Sequence, residues 1–245
     1  MHETAQHSAV SDALTSLACG TLDARAAAAL EAAHAHLVDA RANSRNDSVV
    51  AAQLAALLQS QGSAAGDLRV RAWTLGATLA GASPANADVP VLAAVVTVGE
   101  AIGASEGEMT QAAAVGIEAV ARILDAVDSV EFRTRWNVAA AIGVLGAALA
   151  VARLYRLDAT RARHALGVAA TQAAGLAHNV SHAMGALETG KAAADAIEAA
   201  LLAKHGFTSA PASIDGRRGL AALMAYRFDA ASIVDGIGTR WVSVG

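Results

Sequence analysis

A chain of 245 residues with 55% hydrophobic, 16% charged and 3% aromatic side chains is too apolar to stay disordered and long enough to bury a sizeable core. About a quarter of it is alanine and only three residues are proline, which argues against a β-sandwich or barrel and for closely packed helices. The net charge of −4, spread without runs, disfavours nucleic acid or an anionic membrane surface as the main partner.

Met1 to Ser11 has no apolar core and does not read as a signal peptide. Residues 1–20 are expected to be a poorly anchored segment ahead of a single all-α domain spanning 21–245. The first predicted helix runs from Leu22 to about Ala42, with an apolar stripe through Ala26, Leu30, Ala33 and Leu37. Asp47 or Ser48 can cap a second helix that ends before Gly62, and a third covers Asp67 to about Ala80. Gly81 to Asp88 reads as a loop, with Asp88 capping a helix from Pro90 to Ile102 that stops at Gly103.

Ser105 and Glu108 form a capping-box pair opening a helix through about Val127. Asp128 to Arg135 reads as a polar connection. Trp136 to Ala152 is uncharged, but it is too short and too rich in Ala and Gly for a membrane span, so the Trp136–Tyr155 segment reads as a buried helix. Asp158 caps the next helix, which runs to about Ala174; an irregular stretch precedes a long helix over Ala186–Lys204. Short helices are expected at Gly219–Ala225 and Ala230–Val234. Glycines inside helices (Gly99, Gly116, Gly143, Gly146) let backbones approach closely, as in a compact multi-helix bundle.

Chemical signatures are sparse. Cys19 is the only cysteine, so an intrachain disulfide and a Cys-rich zinc site are excluded, and a reducing cytoplasm is the simplest compartment. No phosphate-cradling glycine loop, nucleophile elbow or His-Glu-x-x-His pattern occurs. His178 and His182 are four apart and can share a helical face; with Asn179 and Ser181 they make the densest polar cluster in an apolar region. That cluster reads as a ligand pocket or acid–base pair, or as a solvated loop. Two histidines fall short of a metal-ligand set, so neither metal nor cofactor is expected. Arg133, Arg135, Trp136 and Asn137 precede the buried helix; arginine forks suit a carboxylate, while the bland alternative is surface charge with a capping asparagine. Lys191 reads as a snorkelling surface residue and Arg217-Arg218 as a structural ion-pairing site.

The runs Gly143–Ala148, Arg153–Ala159, His164–Leu176, Gly190–Ala193, Lys204–Thr208, Asp215–Leu220 and Gly238–Trp241 match in order and spacing those of a known family. Over residues 90–241 the sequence resembles the helical domain of the MmgE/PrpD family, which includes 2-methylcitrate dehydratase and cis-aconitate decarboxylase. The resemblance implies an all-α, usually homodimeric domain and cofactor-free chemistry on small polycarboxylates, in which a base removes a proton beside a carboxylate.

The departures are specific. The histidine that usually opens the buried helix aligns with Asn137, and the usual Lys-Arg-Leu-His run is Gly185-Ala186-Leu187-Glu188. The family's Asp-rich segment aligns with a short stretch whose Asn86 and Asp88 become candidate substrate contacts. No lid domain follows Trp241 before Gly245, so a lid, if needed, is expected from a separate or homologous subunit. The first expectation is a lyase- or isomerase-like enzyme with a repurposed pocket, performing elimination, isomerisation or cyclisation of a small carbonyl or carboxylate compound, in a role suited to specialised biosynthesis. In it His178, His182 and Asn137 are catalytic, and Arg133, Arg135, Trp136, Asn179, Asn86 and Asp88 bind substrate. The alternative is a non-catalytic partner subunit or ligand-binding protein.

Overall fold

The structure, a computed structural model, describes residues 8–64, 66–82 and 86–245. It is all-α, and no strand forms among the described residues. The helices are α1 (Ala9–Cys19), α2 (Ala27–Asn43), α3 (Val49–Ser60), α4 (Leu68–Ala82), α5 (Val89–Ile102), α6 (Glu106–Val127), α7 (Val130–Arg135), α8 (Val138–Leu154), α9 (Ala159–Gln172), α10 (Ala183–Lys204), α11 (Leu220–Met224) and α12 (Ala230–Val234). No described helix is long and apolar enough to cross a membrane.

Local chemistry sets most of the boundaries. Ser48, Ser129 and Asp158 each accept a backbone N–H from the first turn of the helix they open. Ser105 and Glu108 close a reciprocal capping box at the start of α6, with Ser105 N–H donating to Glu108 Oε2 at 2.9 Å. Helix α5 ends on Gly103, whose φ of +66° is the left-handed conformation that favours glycine. Asp88 precedes α5 but makes no side-chain cap; Asn86 Oδ1 instead accepts the Asp88 N–H at 2.9 Å. The loop expected over Gly81–Asp88 is shorter than predicted, because α4 continues to Ala82; residues 83–85 lie outside the described residues. The expected polar connection Asp128–Arg135 also differs: Ser129 caps it and Phe132 is fully buried, so it folds as α7.

The expected poor anchoring of residues 1–20 fails for residues 8–20, and 1–7 lie outside the described residues. Val10, Leu14, Leu17 and Ala18 fall on one face of α1 and are buried in the main core. Ser8 Oγ donates to Asp215 Oδ1 at 2.7 Å, fastening the start of α1 to the distant loop before α11.

Helix α8 is the central rod, packed by α5, α6, α9 and α10. Nearly every residue of it is buried, on all sides, as its uniformly apolar sequence requires. The closest approach is to α6. A Cβ on Gly146 would stand 2.3 Å from Gly116 O, so the crossing exists only because both positions lack side chains.

One buried ion pair closes the bundle. Glu118 and Arg122 on α6 are fully buried, and Arg122 Nε donates to Glu118 Oε1 at 2.6 Å. The guanidinium also donates to the carbonyls of Ile233 at 2.9 Å and Asp235 at 3.0 Å, and to that of Arg240. Glu118 in turn accepts the backbone N–H groups of Val242 at 3.1 Å and Ser243 at 2.9 Å. The segment after α12 therefore folds onto the charges of a single helical turn. Removing one partner of such a pair strands the other charge and costs about 3–5 kcal/mol. Arg122→Ala is expected to lower Tm by about 10 °C at this chain length, measured by thermal melting followed by circular dichroism.

Glu108 carries a pH-dependent share of the stability. Its carboxyl is held down to about 2 by the Ser105 N–H, then by the Arg156 guanidinium and the Ser105 hydroxyl. A lowered carboxylate pKa stabilises the fold above the unfolded value of 4.5, and that contribution is lost as pH falls towards about 2. Glu108→Gln is expected to melt below the wild type at pH 6, and the gap should close as the pH approaches about 2.

Candidate functional site

The site is built where the N-terminus of α8 meets the end of α9 and the first turns of α10. Asn137 caps α8, its Oδ1 accepting the Ala140 N–H at 3.5 Å, and it is fully buried. Its own N–H donates to Gly175 O at 3.1 Å, while Trp136 forms an isolated antiparallel bridge with Leu176. The segment Gly175–Leu176 is thereby pinned against the start of α8. Gly175 has φ of +111°, and a Cβ there would press on Asn137 and reach within 3.3 Å of Glu188 Oε2. Only glycine allows this turn.

Glu188 is the centre of the polar contacts. Asn137 Nδ2 donates to Glu188 Oε2 at 3.1 Å, and Asn179 Nδ2 donates to Glu188 Oε1. Each carboxylate oxygen thus takes one amide hydrogen bond. No cation among the described residues pairs with Glu188. The carboxylate opens on a cleft of about 110 Å³ lined by Ala140, Gln172, Ala174, Gly175, Glu188, Lys191, Ala192 and Asp195. Lys191 Nζ lies 2.5 and 2.7 Å from the two Asp195 oxygens and 6.0 Å from the centre of the Trp73 ring. Burial raises the Asp195 carboxyl above the usual range, and Lys191 only partly counters it. Gln172 Oε1, at the last residue of α9, is buried and has no hydrogen-bond partner.

The predicted residues divide. Asn137 and Asn179 meet on one carboxylate, with Trp136 next to them, its Nε1 donating to Met224 O at 3.1 Å. His178 and His182 do not share a helical face: His178 lies in the 3₁₀ turn Ala177–Asn179 and His182 precedes α10. The turn intervenes because His182 N–H bonds back to Asn179 O, and both histidines are exposed beside the site. Arg133 is exposed and ion-paired with Asp128 at 2.6 Å, and it does not line the cleft described above. Arg135 is exposed and stacks over Trp136 at 5.7 Å from the ring centre. Asn86 and Asp88 lie apart, at the start of α5, where Ala87 O and Pro90 pack on Gly143. At 1.5 Å rise per residue that is about 9 Å along α8 from Asn137.

Glu188, Gln172 and Asp195 were not singled out as site residues. A signal existed for part of this set: residues 188, 191 and 195 on one helix are three and four apart and face one way. Gln172 offered none, since its isolation appears only once α9 is packed. The larger hollow, about 720 Å³, lies at the far end of α8 around Cys19, Arg153 and Arg156, and none of the predicted site residues lines it. Among the described residues no group of three or more His, Cys, Asp or Glu side chains is placed to hold a metal ion.

The family model for the MmgE/PrpD N-terminal domain matches residues 4–232. The chain belongs to the MmgE/PrpD family. The match extends the resemblance, carried in the sequence by residues 90–241, back through α1–α4. The family is of dehydratase and lyase type, and its N-terminal domain is helical, as here. No curated protein matches the chain.

Asp88 provides a control outside the cleft. Burial raises its carboxyl above 3.8, with His36 acting weakly in the opposite sense. A carboxyl raised on folding stabilises the native state below the unfolded pKa, and that contribution is lost as pH rises through the raised value. Asp88→Asn is expected to raise Tm at pH 7 and to leave it unchanged below about pH 3.8, read from melting curves across that range.

Proposed function

We propose that the chain is a cofactor-free enzyme of lyase or isomerase type in which Glu188 acts as the base. The supporting observation is the Asn137–Glu188–Asn179 clamp at the mouth of a small cleft. Two amides fix the carboxylate in one orientation, and a positioned base is what proton removal beside a carbonyl needs. Asn137 and Asn179 are positioning residues in this reading. Lys191, one turn along α10 on the same face and already paired with Asp195, is the one cation lining the cleft. Trp136 and the exposed Arg135, His178 and His182 lie outside the lining, near it in the chain, where the distal part of a substrate would meet them. The reaction is elimination, isomerisation or cyclisation of a small carbonyl or carboxylate compound. Asn86 and Asp88 do not take part, because neither lines the cleft.

The test is exchange of the proton beside the carbonyl, followed by NMR in D₂O across a panel of 2-oxo and 3-hydroxy compounds. A general base contributes about 10²–10⁴-fold. Glu188→Gln keeps the shape but sets an NH2 donor against one of the two asparagine amides, so exchange is expected to fall at least about 100-fold while Tm drops by only a few degrees. Undiminished exchange in that variant would remove Glu188 from the chemistry.

A second reading has its own observation. Leu176, Leu223 and Tyr226 are 57%, 71% and 76% exposed beside Trp136, which touches both of their segments through Leu176 and Met224 O. Exposed apolar side chains gathered at a site mouth suit a covering protein surface. In this reading the chain is a partner subunit, pairing with a second copy or a homologous lid-bearing chain, and the Glu188→Gln variant would change nothing in a D₂O experiment on the isolated chain.

A further inference from the structure

We infer that the cleft between α8, α9 and α10 binds a small primary ammonium group, and so that the substrate carries an amine rather than presenting a carboxylate there. The inference rests on the reading of this cleft as the functional site, not on Glu188 acting as a base.

The titratable side chains lining the cleft are Glu188, Lys191 and Asp195, which together carry one net negative charge when all are ionised. Lys191 and Asp195 offset each other directly. Glu188 is left with amide donors alone, and amides orient a carboxylate without neutralising it. The charge facing the cleft is therefore negative and uncompensated. The lysine side chain is 51% exposed and Asp195 only 13%, so the cation of the pair sits towards solvent and its anion towards the protein.

Gln172 Oε1 supplies the second, independent observation. Gln172 lines the same cleft and is itself partly buried, and its Oε1 is buried and accepts no hydrogen bond. A buried acceptor is usually matched by an N–H or O–H donor. An ammonium offers three donors and one positive charge, so it can donate to Gln172 and offset the charge of Glu188 together. A carboxylate offers neither: it has no donor for Gln172, it is repelled by Glu188, and the one cation at hand already holds Asp195. A volume of about 110 Å³ suits a headgroup and a short stem.

The probe is ethylammonium chloride, titrated into the whole chain at constant ionic strength and followed by calorimetry and by thermal shift, with sodium propionate as its anionic counterpart. Binding on the order of millimolar is the scale for a ligand of three heavy atoms. The expected result is saturable ethylammonium binding with no response to propionate, weakened at least tenfold in Gln172→Leu and in Glu188→Gln. Gln172→Glu restores an acceptor at the same reach and should bind at least as tightly as the wild type. It therefore separates loss of the contact from loss of the fold. Equal or tighter binding of propionate, no saturable ethylammonium binding, or binding indifferent to all three substitutions would overturn the inference. Proton exchange that depends on Glu188 in a chain that ignores ethylammonium would overturn it while leaving the proposed function standing. Ethylammonium binding in a chain without exchange would do the reverse.

Discussion

Everything from α12 to the end of the chain hangs on two side chains one helical turn apart. Glu118 and Arg122 lie wholly inside the protein, where an isolated charge is not tolerated. They are tolerated because the polar capacity of both is nearly used up: the guanidinium is spread over backbone carbonyls from Ile233 to Arg240, and the carboxylate receives two backbone N–H groups. The dependence runs both ways. A short stretch with little regular structure could not otherwise bury its own peptide groups, and the ion pair could not otherwise leave water. The pair also fixes a direction: α6 presents these charges on one side and packs Gly116 on α8 from another. Disturbance of the charges therefore reaches the central crossing through a single rigid helix.

That crossing explains the composition. A rod buried on every side must be approached by several helices at once, and alanine and glycine let backbones close to distances that larger side chains forbid. Helix α8 pays for this intimacy with little variety, since it carries almost no polar group between Asn137 and Arg153. Polar chemistry is thus confined to its ends. At the N-terminal end Asn137 satisfies the first turn and turns its amide to Glu188; at the other end Arg153 donates to the carbonyls of Ala18 and Gly20, locking α1 in place. One end of the rod is a structural clasp and the other is the clamp from which the site is built.

What could be read from the sequence follows from what kind of signal each feature leaves. Helices α3, α5, α6 and α9 were legible because caps and stop residues are local: Ser48, Gly103, Ser105 with Glu108, and Asp158 act within a turn of themselves. Helix α1 was misjudged because its order comes from tertiary burial of Val10, Leu14 and Leu17, although their spacing was readable. Helix α7 was hidden by its charges, since one buried Phe132 among exposed neighbours holds it in place. In the site, Asn137 and Asn179 were legible as polar residues in apolar surroundings, but their common partner was not, because it lies on a third element. The pairing of His178 with His182 assumed a continuous helix, and the 3₁₀ turn at Ala177–Asn179 breaks that assumption. Fold here is written in local caps and small-residue patterning; the site is written in long-range contacts.

The same division lets the site change while the fold stays. The resemblance implies imidazole and cationic groups around the acids of a polycarboxylate. At positions that the resemblance aligns with two of these groups the chain holds Asn137 and Glu188, and the cleft that Glu188 lines is rich in acceptors. None of these exchanges touches what holds the bundle together. Glu188, Lys191 and Asp195 sit along one face of α10, while Ala193, Ala196, Ile197 and Ala200 on its other side carry the packing. A change of charge in the cleft therefore needs no repacking of the core. A fold whose packing centres on α6 and α8, and whose polar groups gather where α8 begins, can keep its architecture while those polar groups change. Family membership accordingly predicts the helices of this protein much further than it predicts the molecule they hold.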